Sequence, residues 1–189
     1  MYYMDYAKIQ DAVTSILYAI GEDPQREGLA DTPRRIAEMY GELFWGIGKD
    51  ATSVLNTTFD EGYDETVILR DIPFHSICEH HFLPFFGIAH IAYIPTGRVA
   101  GASKLARALD VLASRPQIQE RLTSQLADTL YDTLQPSGAA VIMSAEHMCM
   151  SIRGACKPGS KIVTTAARGS LKTQPELRQD IFALLRETR

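Results

Sequence analysis

Two short clusters of metal-binding side chains constrain this chain more than any other feature of its sequence. The first is Cys78–His81, which reads Cys-Glu-His-His, and the second is Glu146–Cys149, which reads Glu-His-Met-Cys. Together they hold two of the three cysteines and three of the five histidines, whereas cysteines and histidines used only for packing would be scattered. Zinc favours thiolate and imidazole ligands. If one ion binds both clusters, the fold must bring together segments about seventy residues apart.

The first cluster supplies two predicted ligands and one free histidine. Cys78 and His81 are three positions apart. A single turn of the chain can therefore put both side chains on one side, where they can bind the same ion. His80 then points elsewhere and remains free for proton transfer.

The second cluster supplies the third predicted ligand. The stretch from Ala139 to Ile152 has the pattern of a strand, and a strand's period of two places His147 and Cys149 on the same face. With Cys149 the site has three protein ligands, which leaves a fourth position for water, as in catalytic zinc sites. His147 is then a second free histidine beside the metal.

Cys156 leaves an alternative open. If it joined the other three ligands, the site would be a closed Cys3His structural zinc site with no position for water. We favour the open site, because the closed one would leave His80 and His147 without a purpose. Cys156 also lies in the Gly/Pro-rich stretch 153–160, where we expect a free thiol.

Composition indicates an intracellular enzyme. A chain of 189 residues with 46% hydrophobic residues is long enough to bury a full core. Three cysteines, an odd number, do not make a disulfide framework, and reduced thiols suit the cytoplasm. We find no secretory signal and no apolar segment long enough to span a bilayer. We therefore expect a cytoplasmic protein without a membrane partner.

The distribution of charge favours an anionic small molecule as the ligand. The net charge of −4 argues against nucleic acid as a partner. However, residues 80–109 and 147–175 contain no aspartate or glutamate, and each of these windows adjoins one metal-binding cluster. Their basic residues are Arg98, Lys104, Arg107, Arg153, Lys157, Lys161, Arg168 and Lys172. A shared metal ion would bring both windows together, and their positive field suits a phosphorylated substrate.

The spacing of apolar residues predicts a helical region at residues 1–62 and an α+β domain at residues 63–189. One helix is predicted to end at Gly21 and a second to begin at Asp31–Pro33. The strands and helices of the second domain are predicted to start, in chain order, near Thr66, Phe85, Ser103, Pro116, Ala139, Lys161 and Pro175. This order, β-β-α-α-β-β and then a C-terminal helix, predicts an antiparallel sheet with helices on one face.

Several motifs along the chain resemble those of GTP cyclohydrolase I. They include Ser76-Ile-Cys-Glu-His-His-Phe-Leu-Pro, Gly101-Ala-Ser-Lys-Leu-Ala-Arg, Arg115-Pro-Gln-Ile-Gln-Glu-Arg and His147-Met-Cys-Met-Ser-Ile-Arg-Gly. The resemblance covers nearly the whole chain in the same order. It implies the tunnelling fold, a homodecamer of two pentamers, active sites at subunit interfaces and one zinc ion per subunit.

The resemblance also implies roles for individual residues. It makes Cys78, His81 and Cys149 the zinc ligands and makes His80 and His147 the proton-transfer residues. The implied substrate contacts are Gln119 and Glu120 for guanine, then Ser103, Lys104, Arg107 and Arg153 for the triphosphate, with Arg35 joining from a neighbouring subunit. The implied reaction converts GTP and water to 7,8-dihydroneopterin triphosphate and formate, the first step of pterin and tetrahydrofolate synthesis.

Two other classes of protein remain as alternatives. One is a related tunnelling-fold enzyme such as the nitrile reductase, which uses a nucleophilic cysteine rather than zinc. The other is a structural or regulatory zinc protein, which requires Cys156 as the fourth ligand. The intact Cys-Glu-His-His and His-x-Cys clusters favour the zinc hydrolase.

Overall fold

The computed structural model describes residues 4–186 of the chain. Within that range the helices are α1 (Tyr6–Ala19), α2 (Thr32–Leu43), α3 (Ala102–Ala113), α4 (Gln119–Leu134), α5 (Met148–Ser151), α6 (Ser170–Thr173) and α7 (Pro175–Arg186), and a 3-10 turn spans Thr52–Leu55. The strands are β1 (Thr58–Tyr63), β2 (Val67–Cys78), β3 (Pro84–Ile94), β4 (Gly97–Ala100), β5 (Pro116–Gln117), β6 (Gly138–His147) and β7 (Lys161–Gly169). None of these helices is long and apolar enough to cross a membrane.

A five-stranded sheet in the order β5-β2-β3-β6-β7 organises the fold. The pairs β2–β3, β3–β6 and β6–β7 are antiparallel, and the short β5 lies parallel to β2. β1 and β4 form a separate antiparallel pair. The predicted α+β fold, with two strands, two helices and two strands around a largely antiparallel sheet, is confirmed.

The main core lies between one face of this sheet and the helix pair α3 and α4. Because side chains alternate along a strand, every second residue near the end of β3 points into this core, as Ile91 and Tyr93 do. They meet fully buried leucines at helical spacing, including Leu105, Leu122 and Leu126. Burying one such leucine stabilises the fold by about 2 kcal/mol. The apolar faces of α3 and α4 therefore form one side of the core.

The opposite face of the sheet is covered at one end only. There α7 packs Ile181 against Ala92 and Ile142, which point away from the main core. At the other end Phe86 and Ile88 lie on the same face of β3 and are 45% and 41% exposed. The helices thus lie mainly on one face, as expected, and α7 adds a partial second layer.

Two predicted helix starts are wrong. α3 begins at Ala102 with Gly101 at its cap, so Ser103 lies inside the first turn. Pro116 forms part of β5 rather than a helical turn, and α4 begins three residues later at Gln119. Pro116 pairs with Ile77 of β2, and a proline is tolerated at this edge position because it has no N–H to donate. Tertiary pairing therefore overrides the local preference of proline for a first helical turn.

The strand predicted over 139–152 is also shorter than expected. β6 ends at His147, and α5 follows as one helical turn closed by a bond from Ile152 N to Met148 O of 3.1 Å. The Glu146 carboxylate accepts a bond from Ser151 Oγ of 2.6 Å, which helps to close this turn. The chain therefore leaves the sheet just before Cys149.

The N-terminal helices pack against each other and leave part of their apolar surface exposed. In α1, Val13 and Leu17 are buried, whereas Ile16 and Ile20, at the end of the helix, are 58% and 68% exposed. The predicted domain boundary after residue 62 falls within β1, and β1 pairs with β4 from the other side of that boundary. Leu55, from the predicted helical region, also lies in the main core.

Candidate functional site

The three predicted metal ligands lie together at one end of the sheet. The Cys78 and Cys149 sulfurs and one ring nitrogen of His81 all lie within 4.8 Å of one another. Cys78 ends β2, His81 lies in the loop between β2 and β3, and Cys149 lies in α5. Among the histidine, cysteine and acidic side chains of residues 4–186, these three lie close enough together to hold a metal ion.

Sheet register brings the two sequence clusters together. In β2–β3 Ile77 pairs with Pro84, and in β3–β6 Phe85 pairs with His147, so the ends of β2 and β6 flank the start of β3. Cys149 then reaches Cys78 through the helical turn of α5. The predicted meeting of the clusters is present, but strand alternation is not what positions Cys149.

The donor set fits a zinc ion. Burial raises the pKa of the Cys149 thiol, and the adjacent Cys78 raises it further, while Arg153 has the opposite effect. Two thiols in such proximity become favourable thiolates only beside a cation. Two sulfurs and one imidazole make three protein ligands and leave a fourth position open. Cys156 is exposed and lies outside the group, which argues against a closed four-ligand site.

Bonds from three directions hold the loop that carries His81. Phe82 N donates to Cys78 O and Cys78 N donates to Leu83 O, both at 2.9 Å, while Glu79 N donates to Gln117 O at 3.0 Å. These backbone bonds close the loop as a single turn and join it to β5.

Side chains hold the same loop at both ends. The Arg121 guanidinium of α4 donates to both carboxylate oxygens of Glu79, with nitrogen–oxygen distances of 2.7 Å. Phe82 has a left-handed backbone with φ of 53°, which costs a bulky residue about 1–2 kcal/mol. Its ring packs against Tyr40 and Phe44 of the N-terminal region.

His147 is held in one orientation by two neighbours. Its ring stacks on Phe85, with centroids 4.6 Å apart and planes 3° from parallel, and it is only 8% exposed. Its Nε2 lies 2.8 Å from Gln119 Oε1. Burial lowers the pKa of His147, and the nearby Glu120 carboxylate raises it by a smaller amount.

The amide of Gln119 is fully used inside the protein. Its Nε2 lies 3.2 Å from Met143 O, 2.9 Å from Ile162 O and 3.0 Å from Thr164 Oγ1, and the residue has no exposed surface. Because the two carbonyl oxygens require a donor, the amide oxygen must face His147. An amide oxygen only accepts, so His147 Nε2 carries a hydrogen and Nδ1 is the remaining ring nitrogen for proton exchange.

His80 lies beside the same group but in solvent. Its side chain is 64% exposed, its Nδ1 lies 3.8 Å from the Cys78 sulfur, and its Nε2 lies 4.0 Å from a Glu79 carboxylate oxygen. His80 is therefore closer to the ligand set than the turn argument predicts. Its exposed ring can exchange protons with water or with a ligand.

The predicted substrate residues fall into two groups. Glu120 follows Gln119 at the start of α4 and Arg153 follows α5, so both lie near the metal-binding group, and both are exposed. Ser103 and Lys104 lie at the far end of α3. That end is near Tyr93, whose hydroxyl accepts a bond from Ala100 N.

The length of α3 separates these groups within one chain. Its last residue, Ala113, accepts a bond of 2.6 Å from Ser76 Oγ, two positions before Cys78. Twelve helical residues span about 18 Å, so Ser103 lies more than a dozen ångströms from that point. Arg107 lies between the two ends, and Arg35 lies on α2, where it pairs with Asp31 at 3.3 Å.

Sequence reasoning missed several residues that support the site. Phe85 and Arg121 lie within the motifs quoted above or next to them, yet neither has ligand or acid–base spacing. Thr164 and Met143 act on Gln119 from distant strands. No local pattern identifies these contacts, because each depends on strand register.

Comparison with known proteins identifies the family of the chain. The family model described as GTP cyclohydrolase I matches residues 9–186. A GTP cyclohydrolase 1 from Streptococcus gordonii is 52% identical over 182 residues, covering 96% of this chain and 97% of that protein. A GTP cyclohydrolase 1 from Geobacillus sp. is 52% identical over 187 residues, covering 98% and 100%. One from Listeria innocua is 53% identical over 184 residues, covering 97% of each.

Among solved structures, the crystal structure of the archaeosine synthase QueF-Like in the apo form aligns with 55% of this chain and 93% of its own. The identity is 17% and the TM-score is 0.44. The full-length family match and the near-complete coverage by relatives at 52–53% identity are the decisive findings. The chain is therefore an enzyme that belongs to the GTP cyclohydrolase I family.

Proposed function

We propose that this enzyme uses zinc to convert GTP and water to 7,8-dihydroneopterin triphosphate and formate, the first step of pterin and tetrahydrofolate synthesis. The observation that carries the proposal is the convergence of Cys78, His81 and Cys149 beside a histidine held by Gln119. Two thiols and an imidazole would hold one zinc ion per subunit. When bound, zinc supplies Lewis-acid chemistry and makes water a nucleophile near neutral pH.

His147 is proposed as the proton donor to the guanine ring. Stacking on Phe85 and the bond to Gln119 fix the ring, so proton exchange with a ligand takes place at Nδ1. The proton is proposed to pass to N7 of guanine as the imidazole ring opens. The more exposed His80 is proposed to serve the later proton transfers, in which the ribose opens and rearranges.

Glu120 and Arg153 are proposed to bind the two ends of GTP near the metal-binding group. A carboxylate accepts hydrogen bonds from the ring N–H and the exocyclic amine of guanine, a pattern that adenine lacks. Arg153 presents a guanidinium suited to phosphate oxygens. Gln119, which the resemblance assigns to guanine, is proposed to act through His147, because its amide is fully buried and bonded to protein groups in this structure.

We further propose that the site is completed by a second copy of the chain in a homo-oligomer, a decamer by resemblance. Ser103, Lys104 and Arg107, the proposed triphosphate contacts, lie along α3 away from the metal-binding group of the same chain. The exposed apolar side chains of α1 and of the uncovered sheet face support contacts between copies. Arg35 is proposed to reach a neighbour's site from α2.

A cytoplasmic location is proposed because the three cysteines are free thiols, which suit a reducing compartment.

The test is to incubate the purified protein with GTP and to measure formate and, after oxidation, the fluorescent pterin. Metal analysis should find zinc, and a chelator should abolish both products. His147→Ala should abolish formate release. Full formate release by that variant would refute the role of His147, and absence of product from zinc-loaded protein would refute the proposed reaction.

A further inference from the structure

Phe82, the residue directly after His81, has a backbone conformation that bulky residues rarely adopt. Its φ is 53°, and its N–H donates to Cys78 O, so it ends a single helical turn in the left-handed region. Glycine usually takes this position, because a Cβ atom is disfavoured there. The surrounding structure must therefore supply interactions that hold a phenylalanine in place.

The ring of Phe82 provides those interactions by packing on the N-terminal region. Its centroid lies 6.3 Å from the ring of Tyr40 and 5.7 Å from that of Phe44, both edge-on. Tyr40 and Phe44 are themselves 5.3 Å apart. Edge-on packing of this kind is favourable between aromatic rings. We call these three side chains the aromatic clamp.

The N-terminal half of the aromatic clamp is fixed to the core. Phe44 is only 6% exposed, and Gly46 N donates to Ser114 O at 3.1 Å. Arg115 donates from Nε to Gly46 O at 2.9 Å. A Cβ on Gly46 would lie 2.1 Å from Val111 O, so the two backbones are in close contact. The end of α2 therefore cannot move without moving the end of α3.

We propose that the aromatic clamp positions His81 for metal binding. The Arg121–Glu79 pair holds the start of the loop, and Phe82 holds its end, with His81 between them. If the Phe82 ring were lost, the turn would sample other conformations, and the His81 ring would leave the two thiols for part of the time. The N-terminal helices thus strengthen metal affinity without supplying a ligand. This inference rests on the proposed zinc site.

The test compares zinc affinities of the wild-type chain and Phe82→Gly by competition with a chromophoric chelator. Glycine adopts the left-handed conformation freely, so this variant removes the ring without adding strain. We expect zinc affinity to fall about tenfold, as for loss of other groups that orient a metal ligand. Phe44→Leu removes the aromatic ring that packs on Phe82 without changing any residue of the loop, and it should also weaken zinc binding.

Phe59→Ala is the matched control, because Phe59 is 50% exposed and Phe82 is 51% exposed, but Phe59 lies in β1. Its zinc affinity should stay within about twofold of wild type. Equal zinc affinity in wild type, Phe82→Gly and Phe44→Leu would refute the proposed role of the aromatic clamp. A loss of zinc affinity in Phe59→Ala as large as that in Phe82→Gly would refute it as well. Failure of the wild-type chain to bind zinc would instead refute the proposed zinc site.

Discussion

At the scale of single residues, the contacts of Gln119 explain how the His147 ring, the proposed proton donor, is held in one orientation. A buried histidine that rotates freely would present either nitrogen to a ligand. Here one amide bonds Nε2, and its own nitrogen is held by Met143 O and Ile162 O. The orientation of the His147 ring is therefore set by two strands, β6 and β7, which contact it through Gln119.

Gln119→Met should lower kcat about 10- to 100-fold, part of the effect that a positioned acid–base residue supplies. Methionine fills a similar volume but cannot accept from His147, so the ring loses its fixed orientation. Thr164→Val is the control, because it removes one contact of Gln119 and leaves the bond to His147. Steady-state kinetics with GTP measure both, and a kcat close to wild type in Gln119→Met would contradict the role.

Replacement of Cys149 and replacement of Cys156 should differ in their effect on zinc binding. Cys149→Ser should lower zinc affinity at least about tenfold, because a hydroxyl is a poor replacement for a thiolate. Cys156→Ser should leave it unchanged, since Cys156 is exposed and outside the metal-binding group. Chelator competition on both variants measures this. A similar loss in Cys156→Ser would favour the closed four-ligand site.

At the scale of elements, the loop between α5 and β7 is anchored by one carboxylate. Glu146 Oε1 accepts bonds from Ser151 Oγ at 2.6 Å and from Gly159 N at 2.8 Å, which joins the two ends of the loop. These bonds hold the pKa of the Glu146 carboxyl below its ordinary value of 4.5. The anchor is therefore fully present above that value and is lost as the pH falls through the lower folded-state pKa.

Glu146→Ala should expose this loop to trypsin at pH 7, with cleavage after Arg153 several-fold faster than in wild type. The variant leaves Gly159 N and Ser151 Oγ without their acceptor, so the loop opens more often. Glu146→Gln keeps an acceptor oxygen and should behave more like wild type. Mass spectrometry of the digest identifies the cut, and equal rates in Glu146→Ala and wild type would show that the carboxylate is not the anchor.

At the scale of the whole molecule, the residues of the proposed active site lie at two separate places within one chain. The metal-binding group, His147 and Glu120 lie at one end of α3, and Ser103 and Lys104 lie at the other. A helix about 18 Å long separates them. We therefore propose that one active site containing all of these residues is formed by two copies of the chain.

Mixing two inactive variants tests this arrangement. Cys149→Ala removes a proposed metal ligand and Lys104→Ala removes a proposed phosphate contact, so neither variant alone should convert GTP. If each site takes these residues from different chains, co-refolded mixtures should regain up to about a quarter of wild-type activity, because one combination in four is intact. Mass spectrometry verifies that the hybrids contain both variants. If such hybrids regain no activity, Cys149 and Lys104 act in the same site from the same chain.

Some parts of the fold are predictable from the sequence, and others are not. The main order of two strands, two helices and two strands was predicted correctly, because the periodicity of apolar residues is local and directly visible in the sequence. The start of α4 and the end of β6 were wrong. Both depend on contacts of Pro116 and Glu146 with distant residues, which no window of sequence contains.

The sequence by itself determined which chemistry is available. The spacing of Cys78, His81 and Cys149 predicted a three-ligand metal site, and motif order along the chain indicated the family. Tertiary structure decided how those groups are held: Gln119 meets His147 across 28 positions, and Phe82 meets Phe44 across the boundary of two regions. Local patterns depend on neighbours a few residues apart, whereas these contacts exist only once strand register and helix packing join distant segments.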